Sequence, residues 1–340
     1  MSDQYALSKT LKEREESFIG PKTGMESMDV EWCFRHKPPP LDFVIPSFVA
    51  GTVGCCAAAG STGKSFASLQ IAMGICSNLA DEALLNIGAK KEGEVAIFNA
   101  EDPDTVLNER LYSISKYLPK ESLELINQRL KIIPLTGMGV DILDKSWQQK
   151  VLKVGEGKRL LVFDTFTRWH RLDENSNGQM SQVVGAFEMI AKQTGAAILF
   201  LHHTNKGSAL NFEQDRQQST RGASAIVDNC RFQSYLQVLS QDEAKDCGIS
   251  DEARKMYVQL GNNKENYGTP TAAKWLKRGD GGVLLTTDEI DASKFKGGPR
   301  GGRKNDLKFA PAHSFGLKSF DKRAVIATIN GIEVVNEASF

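Results

Sequence analysis

The residues best suited to chemistry form a loop with the sequence AAGSTGKS at positions 58–65. We call this segment the phosphate loop, because it matches the pattern G-x-x-x-x-G-K-[ST] except that Ala58 stands at the first glycine. In such a loop backbone N–H groups surround nucleotide phosphates, the lysine reaches the β- and γ-phosphates, and the hydroxyl binds Mg²⁺. The alternative, an ordinary glycine- and serine-rich turn, is disfavoured by Gly-Lys-Ser between a strand and a helix. We predict ATP contacts from Ala59, Gly60, Ser61, Thr62, Gly63, Lys64, Ser65 and Phe66.

Other reactive side chains follow apolar runs that read as strands. Asp164 comes after four apolar residues, and a carboxylate there can hold Mg²⁺ together with Ser65. Glu101 is predicted to orient and deprotonate the attacking water. Either His202 or His203 could sense the γ-phosphate. The structural alternatives are that Asp164 caps the next segment and that Glu101 is an acid at a helix start.

Phosphoryl transfer also needs a cation from outside the phosphate loop. Arg221, Arg231 and Lys264 are candidates, and the residues alone do not choose between them.

Two polar loops are candidates for contact with a nucleic-acid backbone. They cover residues 166–179 and 205–221, and Trp169 offers a stacking surface in the first of them. The alternative is a pair of solvated loops without a ligand. The basic residues proposed to contact DNA are Arg168, Arg171, Lys206, Arg216 and Arg221.

The elements that must position these residues alternate along the chain. This order predicts an α/β fold with a mostly parallel sheet flanked by helices. Because the carboxyl ends of parallel strands meet at one edge, we expect Glu101, Asp164 and His203 to converge on the phosphate loop. A late antiparallel hairpin is predicted around Asn330-Gly331. The predicted strands cover residues 52–57, 94–99, 130–133, 160–163, 196–201, 232–239 and 255–260, and the predicted helices cover residues 64–79, 105–117 and 181–194.

Composition narrows the class of protein. The 340 residues carry 42 basic and 42 acidic side chains, so any contact with DNA must be local. Six cysteines without C-x-x-C spacing fit a reducing compartment, and the lack of a signal peptide or membrane span predicts a cytoplasmic protein without a membrane partner. The predicted organisation is an N-terminal extension (1–37), an ATPase domain (38–292), and a basic glycine-rich linker with a tail (293–340).

Several motifs together resemble one family. The chain is similar to the RepA-type hexameric replicative helicases of broad-host-range (IncQ-like) plasmids over roughly residues 38–300. The matching segments are PPPLDFVIP (38–46), AGTVG (50–54), AEDP (100–103), FDT (163–165), FLHH (200–203), QQSTRGAS (217–224), VDNCR (227–231), KENYG (264–268) and DGGVL (280–284).

This resemblance implies a RecA-like core, a ring of six subunits, and ATP hydrolysis coupled to 5′ to 3′ movement on single-stranded DNA. The implied partners are single-stranded DNA, further copies of the chain, an initiator and a primase.

The resemblance also implies roles for individual residues. Arg231 matches the arginine finger that enters the neighbouring subunit's site, Lys264 is a second cross-interface candidate, and Arg110 falls near the phosphates. The other matches are Lys64 and Ser65 for phosphate and Mg²⁺, Glu101 for the catalytic glutamate, Asp164 for the Walker-B aspartate and His203 for the γ-phosphate sensor.

Two other functions remain open from the sequence. One is a RecA-like DNA-dependent ATPase of the recombination or clock type, which would not unwind DNA. The other is an ATP-switched module that binds DNA or protein, in which Ala58 weakens turnover. The intact set of Glu101, Asp164, His203 and Arg231 argues against the binding module.

Overall fold

The computed structural model describes residues 27–89, 91–204, 226 and 228–296, with the strand backbone at 327–329 and 332–334. The strands are β1 (Phe43–Ile45), β2 (Phe48–Val49), β3 (Val53–Ala58), β4 (Glu94–Asn99), β5 (Leu130–Pro134), β6 (Lys158–Asp164), β7 (Ala197–His203), β8 (Phe232–Val238), β9 (Tyr257–Glu265), β10 (Lys274–Arg278), β11 (Leu284–Thr286), β12 (Ala327–Ile329) and β13 (Ile332–Val334). The helices are α1 (Val30–Arg35), α2 (Lys64–Cys76), α3 (Asn78–Ala83), α4 (Asp104–Ser115), α5 (Lys120–Arg129), α6 (Lys145–Gly155), α7 (Asn177–Thr194) and α8 (Gln241–Asp246).

Nine of these strands form one mixed sheet in the order β11-β10-β9-β8-β3-β7-β6-β4-β5. The six strands from β8 to β5 are parallel to one another. β9, β10 and β11 extend the sheet in antiparallel fashion beyond β8, and we call these three strands the antiparallel wing. The predicted α/β fold with a mostly parallel sheet is therefore confirmed.

The parallel part of the sheet is covered on its two faces by two separate apolar clusters, and a third cluster packs on the antiparallel wing. Along β3, Val53 and Cys55 belong to the cluster under α7, whereas Cys56 and Ala58 belong to the cluster under α2. This alternation follows from the two-residue period of a strand. Because both faces are covered there, the central strands β3, β4, β6 and β7 contain continuous apolar runs in the sequence, which is why they could be predicted.

The helix after the phosphate loop differs from its prediction. We predicted one helix over residues 64–79, but α2 ends at Cys76 because Ser77 is extended, and α3 begins at Asn78. Leu79, in the first turn of α3, is 45% exposed. α2 is instead buried on nearly all sides, and the amide of Gln70 is tied to the antiparallel wing: its Nε2 donates to the Leu284 carbonyl (2.6 Å) and its Oε1 accepts from the Leu284 N–H (2.9 Å).

Several elements were not predicted: the helices α1, α5, α6 and α8, and the short strands β1, β2, β10 and β11. The predicted strand at 255–260 begins later and runs to Glu265, because its polar end continues to pair with β8. None of the described helices is long and apolar enough to cross a membrane.

By its internal contacts the chain divides into two units, residues 1–301 and 302–340. The second unit contains β12 and β13, which pair antiparallel with Ile329 opposite Ile332. The predicted late hairpin is confirmed in these strands, while its turn residues, Asn330 and Gly331, lie outside the described residues.

Candidate nucleotide site

The phosphate loop joins β3 to α2 at the carboxyl edge of the parallel strands. Gly63 precedes the first helical residue and has φ of +105°, a conformation that favours glycine. The N-terminus of α2 therefore opens directly onto the loop. Exposed N–H groups and the helix dipole at such an end favour anions.

Lys64 lies at the centre of this edge and is only 6% exposed. Its Nζ donates to the carbonyl oxygens of Ala58 (2.8 Å) and Ala59 (3.0 Å), and lies 3.1 Å from Nδ1 of His203. Burial lowers the pKa of the Lys64 amine. The ammonium is thus held in place by fixed acceptors at the mouth of the loop.

His203 connects Lys64 to Glu101. Because an ammonium can only donate, Nδ1 of His203 must accept from Lys64, which places the ring proton on Nε2. Nε2 lies 3.6 Å from Oε1 of Glu101. The Glu101 backbone is fixed in turn, because Oδ1 of Asn99 accepts its N–H (3.2 Å).

Ala58 occupies the position where the motif has its first glycine. It is the last residue of β3, pairs with His203 on one side and Leu236 on the other, and its carbonyl accepts from the N–H of Thr204 (3.1 Å). Its φ is not positive, unlike those of Ser61 and Gly63. This position therefore has no conformational need for glycine, and the alanine is compatible with the loop.

The substitution Ala58→Gly tests this conclusion. We expect nucleotide affinity to change by less than about threefold, which is under ~0.7 kcal/mol. The added backbone freedom should cost about 0.5–1 kcal/mol of folding stability. Calorimetric titration with ADP measures the first quantity and denaturant unfolding the second. An affinity gain of an order of magnitude would show that the missing glycine matters.

Asp164 ends β6 beside Asn99 of β4 and is only 3% exposed. Burial raises the pKa of its carboxyl to about 6, while a hydrogen bond with Ser65 opposes the rise. The hydroxyl and the carboxylate are thus adjacent, as joint binding of Mg²⁺ requires. Among the described residues no group of three or more acidic, histidine or cysteine side chains could hold a metal. Mg²⁺ takes few protein ligands and completes its shell with phosphates and water, so the Ser65 hydroxyl and the Asp164 carboxylate fit this ion.

The raised pKa of Asp164 gives a pH-dependent prediction. Below about pH 6 the carboxyl of Asp164 is protonated and carries no charge for a divalent cation. The Mg²⁺-dependent part of ATP affinity should therefore fall as the pH drops through this value and level off above it. Excess Mg²⁺ should move the midpoint to lower pH, because the ion favours the carboxylate. Titrations with Mg²⁺ and with a chelator measure this, and Asp164→Asn should diminish the step, leaving the part that comes from the terminal phosphate of ATP itself. A step of equal size in that variant and in the unaltered chain would contradict the assignment.

Arg110 lies beside the same edge. Its Nη1 donates to Oδ2 of Asp102 (2.5 Å), and its guanidinium carbon is 5.5 Å from the centre of the Phe66 ring. The charges of Asp102 and Arg110 both act on Asp164, in opposite directions. The structure therefore brings Arg110 and Phe66 to the border of the phosphate loop.

Two predicted site residues, Arg231 and Lys264, lie away from the phosphate loop of their own chain. Arg231 precedes β8, and its N–H donates to the carbonyl of Val53 at the start of β3. Ala58, where the phosphate loop begins, is five residues further along β3, about 16 Å of extended chain. Lys264 pairs with Gln233 near the same end of β8. Neither cation is placed at its own chain's phosphate loop.

His202 and Trp169 turn away from the site. His202 is buried with its pKa lowered by burial, so the structure favours His203 as the histidine that faces the phosphate loop. The expectation of a stacking surface at Trp169 is wrong. Its side chain is fully buried and packs edge-on against Phe163 and Phe98, with ring centroids 4.7 and 5.7 Å apart.

Of the five residues predicted to contact DNA, two lie in the part of the chain that the structure describes. Arg168 and Arg171 are exposed near the carboxyl end of β6. Lys206, Arg216 and Arg221 lie outside the described residues.

Sequence reasoning missed Arg278, the last residue of β10. Its Nη2 donates to the backbone carbonyls of Ser61 (3.1 Å) and Thr62 (2.6 Å) in the phosphate loop. No motif or spacing signals this contact, because it depends on the tertiary position of the antiparallel wing.

Comparison with known structures identifies the fold. The chain is similar to the structure of a DnaB-like replicative helicase studied with its primase interactions: 16% identity, 83% of this chain and 71% of that chain covered, and a TM-score of 0.51. This likeness shows the fold and confirms the predicted RecA-like core. Weaker likenesses are to the ATPase domain of G40P (15% identity, 84% and 98% covered, TM-score 0.47) and to the flagellar accessory protein FlaH from Methanocaldococcus jannaschii (12%, 72% and 91%, 0.45).

A family model described as an AAA domain matches residues 21–209. The matched segment contains the phosphate loop, Glu101, Asp164 and His203. Because it spans more than half of the chain, the protein belongs to the AAA domain family.

Proposed function

We propose that the protein is an ATP-dependent DNA helicase that works as a ring of six copies and moves 5′ to 3′ on single-stranded DNA. The observation that carries the proposal is the convergence of Lys64, Glu101, Asp164 and His203 at one sheet edge. Membership in a family of P-loop ATPase domains supports ATP hydrolysis. The helicase activity, the ring and its direction rest on the resemblance to RepA-type plasmid helicases.

The site geometry suggests how each side chain contributes. Lys64 would bind the β- and γ-phosphates, and Glu101 would accept a proton from the attacking water. His203, with Nε2–H toward Glu101, would respond to the γ-phosphate because its ring lies between Lys64, which would bind that phosphate, and Glu101. Mg²⁺, when bound, would neutralise phosphate charge and would be held by Ser65 and Asp164.

A second subunit would complete this site. Arg231 is exposed at the opposite end of β8 from the phosphate loop, and Lys264 lies at the same end. Their positions support action on a neighbouring copy. The exposed apolar side chains of α1, Val30 and Phe34, also suit contact between copies.

The remaining assignments follow the same proposal. Arg168 and Arg171, with Lys206, Arg216 and Arg221, would contact single-stranded DNA. Residues 1–37 would form an extension, 38–292 the ATPase domain, and 293–340 a linker and tail. An initiator and a primase are the proposed partners in replication of a plasmid or mobile element.

One set of experiments separates the possible functions. Light scattering with and without ATP measures the number of subunits, and ATP hydrolysis is measured with and without single-stranded DNA. Forked duplexes with either a 5′ or a 3′ loading tail then test unwinding and its direction. Hydrolysis without strand separation would favour a recombination- or clock-type ATPase. ATP-gated binding with negligible turnover would favour a switch module.

A further inference from the structure

The side chain of Arg278 is held against the outer side of the phosphate loop. Its Nη2 donates to the carbonyls of both Ser61 and Thr62, and its Nε donates to the carbonyl of Lys255 (3.3 Å). Of the ion pairs found among the described residues, none includes Arg278. A half-buried guanidinium, which stays charged at neutral pH, therefore directs its hydrogen bonds mainly at backbone carbonyls.

These bonds fix the direction of the loop's N–H groups. The carbonyl of Ser61 and the N–H of Thr62 belong to one planar trans peptide and point in opposite directions. The same holds for the carbonyl of Thr62 and the N–H of Gly63. A guanidinium that holds both carbonyls outward consequently turns both N–H groups inward, where the motif places the phosphates.

The support behind Arg278 is itself fixed. β10 and β11 pair antiparallel, and Leu284 of β11 is joined to Gln70 of α2 by two buried hydrogen bonds. Between these strands, the N–H of Asp280 donates to the hydroxyl of Tyr117 (2.9 Å). The base of Arg278 is thus connected to the helix that follows the phosphate loop.

We propose that Arg278 is a positioning residue that holds the phosphate loop in its anion-binding shape. It acts through the peptide groups of Ser61–Gly63 and does not touch the nucleotide. The inference rests on the proposed function of the loop in binding nucleotide phosphates. It adds the antiparallel wing, far away in the sequence, to the parts that determine phosphate affinity.

The test compares Arg278→Met and Arg278→Lys with a matched control, Arg254→Met. Arg254, in the short 3-10 turn that precedes β9, also donates to a backbone carbonyl, that of Leu239 (3.0 Å), and it pairs in addition with Asp251 (2.6 Å). None of its hydrogen bonds or ion pairs with the described residues involves the phosphate loop. Calorimetric titration of the full chain with ADP and with inorganic pyrophosphate gives the affinities. We expect Arg278→Met to weaken both by about tenfold or more. Arg278→Lys should retain part of the affinity, because a lysine keeps the charge but loses the planar fork.

Chemical rescue adds a readout that general destabilisation would not move. Guanidinium added at non-denaturing concentration to Arg278→Ala should restore pyrophosphate binding, whereas an ammonium salt at equal ionic strength should not. Unchanged affinity in Arg278→Met, an equal loss in Arg254→Met, or a loss for ADP alone would each overturn the inference. Absence of ADP binding by the unaltered chain would instead overturn the proposed function on which it rests. Should Arg278→Met fail to fold, Arg278→Lys carries the same comparison.

Discussion

Nucleotide affinity and turnover should both collapse in the Lys64→Ala variant. The ammonium of Lys64 is the buried cation at the mouth of the phosphate loop, fixed by two carbonyls and His203. Loss of one such preorganised donor costs about 10²–10³-fold in rate. Loss of ground-state contacts with the β- and γ-phosphates should lower ATP affinity as well. Calorimetry with ATP and a phosphate-release assay measure both effects.

The matched control is Lys158→Ala. Lys158 lies at the amino end of β6, far along that strand from Asp164, and pairs with Glu94 (2.6 Å). The Lys158→Ala variant should bind and hydrolyse ATP like the unaltered chain. If turnover in Lys64→Ala were close to that of the unaltered chain, the phosphate loop would not take part in ATP hydrolysis. Circular dichroism of both variants checks that the fold is retained.

A second large effect is expected for Arg231→Ala, with a different signature. Because Arg231 lies away from its own phosphate loop, its loss should leave ATP affinity nearly unchanged. Turnover should fall by about 10³–10⁵-fold if Arg231 stabilises charge on the transferring phosphoryl group as an arginine finger. Arg254→Ala provides the control for loss of an arginine elsewhere. Full ATPase activity in Arg231→Ala would contradict the assignment.

Mixing two inactive variants distinguishes action within a chain from action between chains. In a mixture of Lys64→Ala and Arg231→Ala subunits, some interfaces combine an intact Lys64 with an intact Arg231 from the next copy. ATP hydrolysis should therefore reappear. If Arg231 worked within its own chain, every site in the mixture would remain defective. The reappearance of activity as a function of mixing ratio is the measurement.

Much of the site could be predicted because its parts lie at the ends of buried parallel strands. Ala58 and Asp164 directly follow apolar residues, and His203 follows an apolar run that ends one residue earlier. Strand direction alone brings those ends to one edge. The residues alone left His202 and His203 open, the resemblance implied His203, and the structure places Nδ1 of His203 3.1 Å from the Lys64 ammonium. Because His202 and His203 are consecutive strand residues, their side chains point to opposite faces of β7. His203 lies on the face of Lys64, and it pairs with Ala58 at the start of the phosphate loop.

Other features had no local signal. The contact of Arg278 with Thr62 joins residues 216 positions apart and depends on short strands of the antiparallel wing. Trp169 was misjudged because its neighbours along the chain are polar. Its burying partners, Phe98 and Trp147, come from other elements. In both cases long-range packing decided the environment of the side chain.

The position of Arg231 at the amino end of β8 has a consequence for the count of working sites. A subunit that supplies a phosphate loop from one edge and an arginine from the other cannot complete two sites by pairing symmetrically with one partner. An open chain of such subunits always has one terminal phosphate loop without its arginine, whereas a closed ring has none. Under the proposed mechanism, specific ATPase activity per subunit would therefore rise with the length of an open assembly. It would reach its full value only when the last copy meets the first.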